Sequence, residues 1–291
     1  MTKNQSNTTG ESGNIVAFLG PLGTFTHAAV DSYFGLDAEK LSVPTIDDVF
    51  IEVETGRARY GVVPVENSTE GAVNNTQDCL IDTSLNIIAE VIIPIEHNFL
   101  MRQDAEAGKI SRIVSHRQSL AQCRRWLKTH WPQVPTQEVS SNAEAARLAS
   151  EDASVAAIAG ERAAGLYGLK IEARRIQDQR NNSTRFLVLA RYLTLPTGRD
   201  KTSILVYTEN KPGALFRVLE PFEKQQVSLT RIEARPARDS IWDYVFFIDF
   251  EGHRDDPAVQ SVFAQLQGRA LKIKTLGSYP AALSDAGGNA A

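Results

Sequence analysis

A chain of 291 residues, 42% hydrophobic and 23% charged, carries enough apolar material for a sizeable core and enough length for two domains. Its net charge of −4 gives no basic footprint for nucleic acid, and its apolar runs fall well short of the roughly 20 residues that span a bilayer. The five histidines and two cysteines show no metal-ligand spacing, so no metal is expected, and Cys79 and Cys123 read as buried thiols.

Residues 1–14 are polar and lack the apolar segment of a secretory signal, which predicts a disordered tail on a cytoplasmic protein. Ile15–Leu19 reads as a buried strand that turns at Gly20-Pro21 into a helix capped by Thr24 or Thr26 and stopped at Gly35. A strand, a glycine turn and a helix N-terminus form a potential anion site, although plain punctuation explains the pattern too. The spacing matches neither a nucleotide loop nor a dinucleotide fingerprint, so a carboxylate fits better. Leu41–Val43 is a second strand, and Thr45 with Asp48 predicts a capping box for a helix burying Ile46, Val49, Phe50 and Val53. Tyr60–Val65 is the third strand, with Glu66, Asn67 and Ser68 at its C-terminal end, where ligands collect in open α/β sheets. This alternation predicts a mostly parallel sheet.

A helix around Val73–Ile81 and a strand around Ile87–Ile93 follow, and Pro94–Asn98 reads as a crossing into a second lobe. His97 in that crossing is a catalytic candidate, but a satisfied structural histidine is the commoner case. After a strand at Ile110–Val114, Ser115 as N-cap places His116 and Gln118 in a first helical turn facing a cleft, with Leu120, Cys123 and Leu127 as core. Ser141 and Glu144 predict another capping box, then a strand at Val155–Ala159 and a helix over Glu161–Tyr167. The run Asn181-Asn182-Ser183-Thr184-Arg185-Phe186 enters an apolar strand expected to rejoin the first lobe. Arg185 there suits a bidentate carboxylate clamp and Thr184 offers a hydroxyl; the alternatives are an ordinary turn and an arginine paired with a buried acid. Beyond a linker at Pro196–Asp200 the pattern becomes strand Thr202–Thr208, helix Gly213–Lys224, strands Val227–Ala234 and Trp242–Phe250, helix Pro257–Gln267 and strand Leu271–Tyr279. That βαββαβ order is ferredoxin-like, and its open edges predict a dimer or higher oligomer.

The motifs Gly20-Pro21-Leu22-Gly23-Thr24-Phe25-Thr26, Val63–Ser68, Ser115–Leu120, Asn182–Phe186, Pro212–Leu215 and Ile232–Pro236 occur in order. Together they resemble the prephenate dehydratases that carry a C-terminal ACT regulatory domain. The resemblance implies a two-lobed α/β region similar to type II periplasmic binding proteins at residues 15–195, with lobe 1 at about 15–93 and 181–195 and lobe 2 at about 94–180. It also implies an ACT domain at 201–280, and residues 281–291 read as a flexible tail. It further implies a required threonine at Thr184, a Glu66-Asn67-Ser68 contribution, and phenylalanine binding at an ACT dimer interface through Pro212, Gly213, Ala214, Leu215, Glu233, Ala234, Arg235 and Pro236. Ala234 stands where the family usually has serine, Phe216 where valine is common, and Arg117 where proline is usual.

Prephenate carries two carboxylates and loses carbon dioxide together with a ring hydroxyl. The leaving hydroxyl needs a proton or a strong hydrogen bond, and rearomatisation makes a cofactor unnecessary. On this reading Thr184 assists departure, Glu66 or His116 relays the proton, and Thr24, Thr26, Asn67, Ser68, Gln118, Asn182, Ser183, Arg185 and Phe186 hold the substrate. Two other readings remain: an enzyme preferring arogenate, and a non-catalytic two-lobed receptor fused to an amino-acid sensor.

Overall fold

The computed structural model describes residues 14–236 and 244–282. Most of both expected tails, and Trp242 at the start of an expected strand, lie outside those residues. Lobe 1 opens with β1 (Val16–Leu19), α1 (Phe25–Phe34), β2 (Lys40–Val43), α2 (Ile46–Glu54), β3 (Tyr60–Asn67), the two-residue β4 (Gly71–Ala72), α3 (Asn74–Asp82) and β5 (Asn86–Pro94). Local chemistry sets these boundaries. Thr24 caps α1, while Thr45 and Asp48 close a full capping box on α2, whose apolar stripe of Ile46, Val49, Phe50 and Val53 is buried.

The chain then crosses into lobe 2: β6 (Asn98–Met101), a 3-10 turn at Ala107–Lys109, β7 (Arg112–His116), α4 (Arg117–Gln122), α5 (Arg124–His130), β8 (Thr136–Val139), α6 (Asn142–Glu151), β9 (Val155–Ala159), α7 (Glu161–Leu166) and β10 (Lys170–Ala173). It returns to lobe 1 as β11 (Ser183–Ala190). The lobe 1 order is β2-β1-β3-β11-β5 and the lobe 2 order is β10-β6-β9-β7-β8. The sheets are mixed rather than mostly parallel. Strand β5 leaves lobe 1 at Pro94 and β11 re-enters beside it at Ser183, so β11 runs antiparallel to both β3 and β5. Strands β7, β8 and β9 are parallel, whereas β6, arriving from the crossing, is antiparallel to β9. His116, not Ser115, caps α4: Ser115 is a buried β7 residue whose hydroxyl donates to the Ile158 carbonyl at 2.6 Å.

The third unit comprises β12 (Asp200–Thr208), α8 (Ala214–Lys224), β13 (Leu229–Pro236), β14 (Tyr244–Glu251), α9 (Pro257–Leu266) and β15 (Lys272–Pro280). Its antiparallel order, β13-β14-β12-β15, is the expected ferredoxin-like one. Helices α8 and α9 cover one face through Val218, Phe222, Val259, Val262 and Leu266. The other face, with Leu205, Val245, Phe247, Leu276 and Tyr279, shares a core with Leu80, Leu85, Ile87, Leu187 and Leu189 of lobe 1. Gly277 permits this approach, because a Cβ there would overlap the Ile87 carbonyl oxygen. Among the described residues, no helix is long and apolar enough to cross a membrane.

Candidate active site

A cavity of about 780 Å³ lies between the lobes. Lobe 1 lines it with the Leu19–Thr26 turn, Ser42–Pro44, Pro64, Thr184 and Phe186; lobe 2 contributes His116, Gln118, Ser140–Asn142 and Gly160. No lysine, arginine or carboxylate side chain is among these lining residues. The N-termini of α1 and α6, capped by Thr24 and Ser141, open onto the cavity from opposite lobes. Their first-turn N–H groups and the associated dipoles favour anions. Thr24 is occupied as a cap: its hydroxyl accepts from His27 N and donates to the Pro21 carbonyl at 3.0 Å. Gly23, at φ 90°, takes a backbone shape suited to glycine and donates its N–H to His27 Nδ1 at 3.0 Å. Burial lowers the His27 pKa despite nearby Asp31. Thr26 is buried against the cavity.

Thr184 has a defined hydrogen-bonding direction. Asn67 Oδ1 accepts the backbone N–H groups of Thr69 and Glu70 at 3.0 and 3.2 Å, which fixes the amide so that Nδ2 points the other way. Nδ2 then donates to Thr184 Oγ1 at 2.9 Å. The Thr184 oxygen is therefore an acceptor toward Asn67, and its own hydrogen is available to a group in the cleft. His116 is the one histidine lining the cavity. Its Nδ1 accepts from Gln118 N at 3.4 Å, leaving Nε2 as the nitrogen that carries hydrogen in the neutral ring.

Two expected site residues face away. Thr184 pairs with Asn67 and Arg185 with Glu66, but Phe186 pairs with Pro64, so Val65 is an extra residue in β3. Simple alternation from cleft-lining Pro64 would put Glu66 in the cleft; the bulge reverses it. Glu66 instead stands 3.3 Å from Arg231 on β13, which corrects its assignment as a proton relay. Arg185 does not clamp substrate either. Its Nε donates to Glu90 at 2.7 Å, one terminal nitrogen to Asp249 at 2.5 Å and the other to Tyr279 Oη at 2.9 Å. Burial opposes the Arg185 charge, but Tyr279, Asp249 and Glu90 outweigh it and hold its pKa above the ordinary value. Burial, reinforced by Asp249, pushes the Tyr279 phenol up. Glu90 also accepts from Lys201 at 2.8 Å. The available sequence signal for this cluster is Glu90 itself, a carboxylate inside the apolar run Ile87–Ile93.

Other residues serve the crossings. Ser68 Oγ accepts from Ser183 N at 3.0 Å and donates to the Asn181 carbonyl at 3.2 Å. Buried Asn182 donates to Gln122 at 3.2 Å. Ser68, Asn182 and Ser183 therefore lie beside the cavity rather than in its lining. Gln118, which does line it, reaches Glu70 of lobe 1. His97 is a buried structural group, bonded to Gln122 at 2.8 Å, and burial lowers its pKa. Cys123 is buried, which pushes its thiol pKa up, whereas Cys79 is only half-buried, against expectation.

The two expected regulatory segments sit on separate elements. Gly213, at φ 76°, begins α8, with Pro212 before it and Ala214 and Leu215 in its first turn. Glu233–Pro236 closes β13, where Ala234 and Pro236 are exposed while Glu233 and Arg235 turn toward lobe 1. Arg235 donates to Asn74, Gln77 and Asp78 at 2.5, 3.2 and 2.8 Å.

A two-lobed α/β protein with an anion-suited cleft, joined face to face with a ferredoxin-like domain, is the class that fold and site define. Known proteins narrow it. The family description "Prephenate dehydratase" matches residues 16–193, and "ACT domain" matches residues 202–268. A bifunctional chorismate mutase/prephenate dehydratase of Stutzerimonas stutzeri is 49% identical over 268 residues, covering 92% of this chain and 73% of that protein. The structure of a prephenate dehydratase from Arthrobacter aurescens in complex with L-Phe superposes with a TM-score of 0.84 at 36% identity, covering 91% of this chain and 89% of that one. A protein described as a quorum quenching acylase, GqqA, superposes with a TM-score of 0.85 at 28% identity, covering 92% and 98%. The chain belongs to the prephenate dehydratase family.

Proposed function

We propose that the chain converts prephenate to phenylpyruvate, carbon dioxide and water, and that phenylalanine controls it through the ACT domain. The observation that carries the catalytic part is Thr184, seated in the cleft with its oxygen accepting from Asn67 and its hydrogen free to donate. In the reaction the ring carboxylate leaves as carbon dioxide. Its bonding pair enters the ring as the carbon–oxygen bond breaks, and the hydroxyl departs with one added proton as water. Thr184 donates a hydrogen bond to that oxygen as charge develops on it. A threonine is too weak an acid to surrender its proton outright, so His116 delivers the proton through Nε2 from its doubly protonated ring, in which Nδ1 carries a hydrogen and gives up its contact with Gln118 N. With no cationic side chain in the lining, the carboxylates fall to the N–H groups of α1 and α6 and to hydroxyls such as Thr26. Aromaticity drives the step and no cofactor is required.

Regulation is supported by the ACT match and by the Arthrobacter relative's complex with L-Phe. Exposed Phe216 on α8 and Ile232 on edge strand β13 support a homo-oligomer built through the ACT domain. We place the protein in the cytoplasm, with its biosynthetic substrate. The test incubates purified protein with prephenate, and separately with arogenate, with and without phenylalanine, while sizing reports assembly. Phenylpyruvate formed from prephenate and suppressed by phenylalanine is the expected result. Turnover of arogenate alone would transfer the activity to that substrate, and ligand binding without turnover would make the chain a sensor.

A further inference from the structure

The inner face of β13 carries three charged side chains, Arg231, Glu233 and Arg235, all directed at lobe 1. Arg231 is almost fully buried and shared between two carboxylates. Its terminal nitrogen meets Glu233 at 3.0 Å, and its Nε stands 3.3 Å from Glu66 without a hydrogen-bond alignment. A buried guanidinium with one N–H unsatisfied is poised to re-pair, because a small shift of either carboxylate changes which one it satisfies. Glu66 lies next to Asn67 in β3, and Asn67 aims the Thr184 hydroxyl. Glu66 also stands 4.0 Å from Arg185, the neighbour of Thr184.

We propose that Arg231 transmits occupancy of the regulatory domain to the cleft, holding Glu233 on one side and Glu66 on the other. This rests on the reading that phenylalanine binds near Glu233–Pro236. The ammonium group of an amino acid drawn to Glu233 weakens that carboxylate's hold on Arg231. The guanidinium then turns to Glu66, and the strain falls on the β3 bulge that orients Asn67 and Thr184. Glu66 is thereby a coupling residue rather than an acid. Arg231 is a positioning residue that touches neither ligand.

The test is R231M in the full-length protein, with phenylalanine binding followed by calorimetry and turnover of prephenate measured at graded phenylalanine. Basal kcat/KM and phenylalanine affinity should each stay within about threefold of the unaltered protein, while the coupling factor, commonly about 5–150, falls close to one. R231K keeps the charge but loses the planar fork, and should recover part of the coupling. Should R231M fail to fold, R231K carries the test with its own expectation, a coupling factor reduced below that of the unaltered protein but above one. Inhibition undiminished despite the substitution overturns the proposal. So does loss of phenylalanine binding in the variant, which would make Arg231 a ligand contact. If the unaltered protein binds no phenylalanine, the effector reading itself fails, and that control shows it independently of any variant.

Discussion

The two faces of the β3–β11 pair are built from different chemistry. The cleft face presents Thr184, Asn67 and Phe186, all uncharged. One residue along, the opposite face presents Arg185 and Glu66, and these join Glu90, Asp249, Lys201 and Arg231 between lobe 1 and the ACT sheet. Strong charges thus bind domain to domain, whereas the pocket relies on N–H groups, hydroxyls and one imidazole. A free arginine in the cleft would hold a dicarboxylate tightly in its ground state. On the proposed mechanism, neutral donors aimed at the departing oxygen favour the transition state instead.

Breaking the charged face should give the largest effect. Arg185→Met leaves Glu90 and Asp249 without their shared cation and should cost about 3–5 kcal/mol of unfolding free energy, read from denaturant melts. A loss below about 1 kcal/mol would mean that the cluster behaves as an exposed one. On the cleft face, Thr184→Val should lower kcat by about 10²-fold, equivalent to about 2.7 kcal/mol of barrier, with the fold retained by circular dichroism. Thr184→Ser, which keeps the hydroxyl, should stay within about tenfold, and equal losses in both variants would refute the hydroxyl's role. Gly277→Ala tests the domain contact itself. The added methyl meets the Ile87 backbone and should destabilise by about 1–3 kcal/mol while leaving KM unchanged.

The smallest effect is with pH. Burial is the main cause that lowers the pKa of both His27 and His97 from 6.5, so each stays neutral in the native state where the unfolded chain takes up a proton. Their stability contribution is complete above 6.5 and is lost as pH falls toward the native pKa, by at most about 1.4 kcal/mol per histidine over the first pH unit. Melting temperatures compared at about pH 7.5 and about pH 5.5 should show the decline. His97→Gln, which cannot take the proton, should remove the His97 share of the decline and leave that of His27.

Much of this architecture was legible in the residues alone. Capping at Thr24, Thr45 and Ser141 and the apolar stripe of α2 are local signals, because they depend on neighbours within one helical turn. The βαββαβ order and the motif set pointing to the family were equally readable. Thr184, Asn67, His116 and Gln118 were singled out from sequence, and they meet at or beside one cavity. The face that each strand residue presents was not readable. One extra residue at Val65 turns Glu66 from the cleft to the ACT domain, and only the pairing partner β11 reveals that bulge. Arg185 looked like a carboxylate clamp because its true acceptors lie far along the chain, at Glu90, Asp249 and Tyr279. Local sequence determined which groups exist and which elements carry them. Tertiary packing decided which charges are consumed between domains, because a buried guanidinium must find its acceptors wherever the fold brings them.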